Sequence, residues 1–229
     1  MKMGKKLIAL LMGIVMVFAM TACGNSAPEP TEEGQEGDPL AIVNVEDNGD
    51  VTFHCTVNGD FLTDNEAGNT TTRHLVVADD GFNKGKALLS AYAPAVDIYE
   101  AMMKAGFTPE ENNEEEFTLE KGEKMAEGQK INVTLTWAGQ EEPVEVADVL
   151  VLGDGSEPKL DFHFHGNHAN FQKNYSGCVC CLDSCYVGIT SNGAYGFLDV
   201  ENNNPSILGN AKVLPAAGEV VMVRFSKAE

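Results

Sequence analysis

Four of the chain's six cysteines lie within eight residues, at Cys178, Cys180, Cys181 and Cys185. Thiolates at this density can ligate metal, pair as disulfides or act as nucleophiles. One cysteine run for a four-iron cluster is C-x2-C-x2-C-x3-C-P. Cys178, Cys181 and Cys185 fill its last three cysteine positions, with Tyr175 at the first and Tyr186 in place of the proline. A [4Fe–4S] cluster would then draw its remaining ligand from Cys55 or Cys180. Zinc is the alternative for the same thiols.

Three of the five histidines form a second concentration, Phe162-His163-Phe164-His165-Gly166-Asn167-His168. In a strand, His163 and His165 project to one face while Phe162 and Phe164 project into the core. With His168 just past a glycine, these imidazoles could bind Zn²⁺ or Cu²⁺. Joined by the Cys178–Cys185 thiolates, they would make a mixed His/Cys site; the plainer reading is a strand with one solvated polar face. The chain holds no Gly-x-Ser-x-Gly elbow, phosphate-binding glycine loop or zinc-protease helix motif. A Cys/His nucleophilic pair drawn from the two segments lacks an oxyanion site and an orienting third group. The expectation is therefore a protein without catalysis of its own.

The elements that must position these residues read mostly as strands. Leu40–Val45 and Val51–Val57 are β-prone runs joined by the turn signal Asp47-Asn48-Gly49-Asp50. His74–Ala78 and Ala87–Tyr92 flank the loop 79–85. Pro94 suits a helix start; Val96, Tyr99 and Met103 form an apolar stripe widened by Ile98 and Met102, and Gly106 suits the C-cap. Ile131–Trp137 alternates like a half-buried strand. Val144–Leu152, Leu160–Phe164, Tyr186–Thr190, Ala194–Val200 and Glu219–Phe225 complete the set. Pro109–Glu127 holds eight Glu and two Lys without the ligand pattern of a calcium loop, and reads as a solvated loop.

The termini differ in kind from the body. Lys2, Lys5 and Lys6 precede the apolar run Leu7–Met20, which at 1.5 Å per residue reaches roughly 21 Å, short of a ~30 Å bilayer core. This is the pattern of a secretory signal over 1–22. Met20-Thr21-Ala22-Cys23 resembles the bacterial lipobox, which implies cleavage before Cys23 and diacylation of that cysteine, enough for stable anchoring. Residues 23–39 then form an acidic tether with no large apolar residue, and a globular domain is expected over 40–229. Against 15 Lys and Arg stand 35 Asp and Glu, a net −20; loss of the signal leaves 12 basic residues and a net −23. That balance argues against nucleic acid as a partner.

The signal has no Arg pair, so it implies export of an unfolded chain, which argues against a preformed iron–sulfur cluster. With Cys23 lipidated, five cysteines remain; two disulfides and one free thiol fit the count, with no unique connectivity. Cys55 is a natural partner for one member of the cysteine cluster.

The stretch Ala78–Gly106, with Pro94 and the helix ending Met103-Lys104-Ala105-Gly106, resembles the first half of a YdjY-type domain. Ile131–Trp137, Pro143–Val151, Phe162–Asn167, Tyr195-Gly196-Phe197, Asn204-Pro205 and Val220–Phe225 resemble the remainder, so the likeness spans roughly 73–226. The Cys178–Cys185 segment and the Glu-rich loop stand outside the simplest version of that pattern. The resemblance implies a bacterial, often exported or lipid-anchored protein with no established catalytic activity, and it supplies no functional residue. The expectation is a single α+β domain, β-rich with one main amphipathic helix, held to the extracytoplasmic face of the cell membrane by its lipid. It would bind a small ligand or protein partner and need no cofactor. The alternative is a metal or iron–sulfur redox protein centred on Cys178–Cys185.

Overall fold

A computed structural model describes residues 38–66, 68, 70–110, 125–166, 172–173 and 175–228. Strands dominate: β1 (Asn44–Val45), β2 (Val51–Val57), β3 (His74–Ala78), β4 (Ala87–Ala91), β5 (Gln129–Trp137), β6 (Gln140–Glu145), β7 (Leu150–Leu152), β8 (Phe162–Phe164), β9 (Cys178–Cys181), β10 (Thr190–Asn192), β11 (Ile207–Gly209) and β12 (Val220–Lys227). The helical elements with described bounds are α1 (Ala95–Lys104), the single turn α2 (Val146–Val149) and short 3-10 turns.

Eight strands close on themselves in the order β2-β12-β5-β8-β10-β9-β3-β4. Closure comes from β4 returning to β2, with Cys55 opposite Ala91 and Val57 opposite Leu89. This corrects the α+β expectation: the molecule is a closed β-barrel with one main helix on it. Closure satisfies strand edges that an open sheet would leave bare. The α+β reading gave the helix too much weight, because nothing local in the sequence pairs β2 with β4.

Alternation sets the barrel interior. Val51, Phe53, Cys55 and Val57 of β2, Ile131, Val133 and Leu135 of β5, and Val221, Val223 and Phe225 of β12 are all buried in one core. Phe53 and Phe225 meet edge to face, with centroids 5.2 Å apart and planes at 74°. Helix α1 buries Ala95, Ile98, Ala101 and Met102, so its inner face centres on Ile98 and Met102 while Met103 is exposed. Gly106, at φ +76°, ends it, and Phe107 N–H returns to Met102 O at 3.0 Å.

The expected run Val144–Leu152 is broken into β6, α2 and β7, and the expected strand Tyr186–Thr190 is replaced by β10 at Thr190–Asn192. Strand β9 lies on the cysteine run itself, where β propensity gave little signal.

Two features aim the cysteine segment. Strand β9 runs parallel to β10 and antiparallel to β3. Strands β3 and β4 are parallel across the short loop 79–86, although parallel neighbours usually need a crossover of a dozen or more residues. That loop is tied down from outside: Phe82 and Asn83 donate their N–H groups to Tyr175 O at 2.8 Å and Ser176 O at 3.0 Å.

Truncating a fully buried aromatic of the barrel interior should be costly. Phe225→Ala is expected to lose about 3–5 kcal/mol of unfolding free energy in urea titration. A loss under about 1 kcal/mol would contradict the closed, close-packed interior.

Candidate metal centre

The centre forms where β3 meets β9. Their register sets His74 opposite Cys181 and Val77 opposite Cys178, with irregularities between His74 and Val76 and between Val76 and Val77. In a regular strand, residues three apart face opposite sides. Here Cys178 and Cys181 share one cluster with Cys185, Val77 and Ala87, while Val179 and Cys180 join the main core. Gly188 leaves room for the sulfurs: a Cβ there would stand 3.2 Å from Cys181 Sγ.

His74 Nδ1 lies 3.4 Å from Cys181 Sγ and 3.6 Å from Cys178 Sγ. All three donor atoms lie within 4.8 Å of one another, and all three residues are buried. Asn83, on the pinned 79–86 loop, donates from Nδ2 to Cys178 Sγ at 3.3 Å. Lys86 Nζ in turn donates to Asn83 Oδ1 at 3.3 Å.

The electrostatics divide the thiols by role. Hydrogen bonding from Cys181 pulls Cys178 well below the usual thiol range; burial opposes this, and His74 and Asn83 assist it. Cys181 moves well above that range because it donates towards Cys178 and Cys185. Burial lowers the His74 value, but the hydrogen bond and charge of Cys178 outweigh it and the net shift is upward. Cys178 and His74 thus favour a thiolate–imidazolium pair, which a metal ion would displace by taking both donors.

An ion pair clamps the surrounding loop. Arg73 Nε donates to both carboxylate oxygens of Asp183 at 2.9 Å, with the two side chains 12% and 0% exposed. Leu182 N–H donates to Arg73 O at 2.8 Å, and Arg73 Nη1 reaches Glu201 at 2.7 Å. The guanidinium also lies 4.6 Å over the Phe197 ring. Burial pushes the Asp183 carboxyl up to about 6 even with Arg73 drawing it down. Beside the clamp lies a cavity of about 420 Å³ whose walls include Arg73, His74, Asn83, Lys86, Cys185 and Glu201.

The YdjY domain profile matches residues 42–226, from before β1 to the end of the barrel. The chain belongs to the YdjY family. It is 35% identical to "Uncharacterized protein YdjY" of Escherichia coli (strain K12) over 222 residues, covering 94% of this chain and 92% of that protein. No solved structure matches.

Within this YdjY domain the other candidates fall elsewhere. Cys55, Cys178, Cys180, Cys181 and Cys185 are all free thiols. Cys55 lines the barrel core and burial raises it well above the usual thiol range. Cys180 is likewise buried and pushed up to about 12. His163 bonds Asp161 through Nε2 at 3.1 Å and Gly128 O through Nδ1 at 3.2 Å. His165 pairs with Ser191 Oγ at 2.9 Å. Cys23 and His168 lie outside the described residues. Among the described residues, the group that brings metal-competent atoms together is His74, Cys178 and Cys181.

His74 carries no motif signal, because it sits 104 residues from Cys178 in sequence. A histidine heading the otherwise apolar run Leu75–Ala78 is its one sequence trace.

His165 is buried beside Ser191 and should be visible in pH dependence. Its value is pushed down to about 4 from 6.5, chiefly by burial. As pH falls, the unfolded chain takes the proton first, so the stability His165 contributes is complete above 6.5 and declines towards 4. The unfolding free energy of wild type relative to His165→Gln is expected to drop by about 3 kcal/mol across that window. A difference independent of pH would contradict the buried neutral imidazole.

Proposed function

We propose that this chain is a metal-binding module that holds one thiophilic ion, of the zinc class, between His74, Cys178 and Cys181. One observation carries the reading. Zinc–sulfur bonds of about 2.3 Å and zinc–nitrogen bonds of about 2.05 Å, set at the tetrahedral angle, put nitrogen and sulfur about 3.6 Å apart. His74 Nδ1 stands 3.4 and 3.6 Å from the two sulfurs. The donor set of imidazole and thiolate suits zinc, copper(I) or iron and disfavours magnesium or calcium. The compact spacing fits one ion better than an iron–sulfur cube, whose cage of metal and sulfide holds its thiolates further apart.

The sequence supports placing this module outside the cytoplasm. The signal over 1–22 and the Cys23 lipobox support a lipid anchor on the membrane, with the acidic tether between lipid and domain. No helix among the described residues is long and apolar enough to cross a membrane. An exported thiol site would take its ion after translocation, when the chain folds and the three donors converge.

Cobalt titration of the reduced, metal-free full chain in detergent, without oxygen, tests the reading. One equivalent of Co²⁺ is expected to produce a saturable sulfur-to-cobalt absorption that Zn²⁺ abolishes, and His74→Ala should weaken binding at least about tenfold. A chain that gives no saturable band would contradict the reading. A chain that purifies with four irons and broad visible absorbance would establish the cluster instead.

A further inference from the structure

A tetrahedral ion held by three protein atoms has one position left, and two observations bear on what fills it. The first is Cys185. It shares the satellite cluster with Cys178 and Cys181 and is 1% exposed. Its thiol interacts with that of Cys181 but stands outside the compact triad, whose donor atoms lie within 4.8 Å of one another. It also forms part of the cavity wall beside His74.

Its backbone is held at both ends. Cys185 N–H donates to Ser191 Oγ at 3.2 Å, and the Ser191 hydroxyl donates to Cys185 O at 2.8 Å. That hydroxyl has only one proton to give, so His165 Nε2, 2.9 Å away, must donate to it. Only the side-chain torsion of Cys185 is left to adjust.

The second observation is Arg73. Its Nη2 is buried and has no hydrogen-bond partner among the described residues. An unpaired buried donor is expensive unless an acceptor can turn to it, and Asp183 and Glu201 are already held by Nε and Nη1. Cys185 and Cys181 are among the groups whose charge bears on Arg73. A divalent ion with two thiolates is neutral; a third thiolate leaves one net negative charge beside that guanidinium.

We propose that Cys185 is the fourth ligand, closing the centre as three thiolates and one imidazole. The inference rests on the metal-binding reading above and extends it. On ligation the Cys185 thiol gives its proton to solvent, its sulfur bonds the ion, and a water leaves the fourth position. The three cysteines then ligate with the spacing Cys178-x2-Cys181-x3-Cys185, and the cavity becomes the route by which the ion enters. A centre with four protein ligands and no open position stores or stabilises; it does not activate water.

The same cobalt-loaded full chain separates the outcomes, because the sulfur-to-cobalt band grows with each bound thiolate. Calibrated against cobalt sites of two and three thiolates, wild type is expected at three. Cys185→Ser is expected at two-thirds of that intensity with at least about tenfold weaker affinity. Cys180→Ala, on the same segment but facing the main core, should keep the full band. A Cys185→Ser protein with wild-type band and affinity overturns the proposal and leaves the three-residue reading standing. A wild-type band of two-thiolate intensity overturns it too, even if Cys185→Ser fails to fold. Wild type with no saturable band overturns both.

Discussion

The antiparallel pairing of β3 with β9 sets His74 opposite Cys181, and the Arg73–Asp183 ion pair fixes the loop that carries the chain on to Cys185. The donor set of the centre depends on that junction. The pair joins residues 110 apart in sequence and is largely desolvated, with Asp183 fully buried. Removing one partner of such a pair typically costs about 3–5 kcal/mol, because the other charge is left buried and alone. An apolar pair of similar volume would hold the strands as well. The ion pair adds direction: a carboxylate bound through both oxygens holds the turn after Cys181 in one orientation.

Around this junction the protein accepts an unusual burden of buried polar groups. Thr190, Ser191, Asn192, Ser184 and Asp183 are all fully buried. They are satisfied by one another and by the cysteine loop: Asn192 Nδ2 donates to Leu182 O at 3.2 Å and to Lys159 O at 3.0 Å, and Thr190 Oγ1 donates to Val179 O at 2.8 Å. A network of this kind rigidifies when complete and destabilises when broken. Its position behind the thiols, away from the Phe53–Phe225 core, is what a pre-shaped ligand set requires.

The sequence carried some of this plainly and some not at all. Strands β5 and β12 are legible because alternation is a local signal, and the helix start at Pro94 and its end at Gly106 are legible from single residues. Barrel closure is not, since it depends on β4 finding β2 after the chain has left and returned. The cysteine spacing offers Cys178, Cys181 and Cys185 for a metal, a cluster or disulfides alike, and nothing local singles out His74. His163 and His165 cluster in sequence yet turn to Asp161 and Ser191, whereas His74 meets its sulfurs only through a long-range strand register. Local spacing can display ligands; it cannot display which strand will lie beside them.

The central claim is that one soft ion is held by sulfur and imidazole at the β3–β9 junction. X-ray absorption at the zinc edge, on the full chain loaded with one equivalent of Zn²⁺, tests it most directly. The account predicts a first shell dominated by sulfur at about 2.3 Å with nitrogen at about 2.0–2.1 Å. A shell of nitrogen and oxygen alone would place the ion on the acidic surface and contradict it.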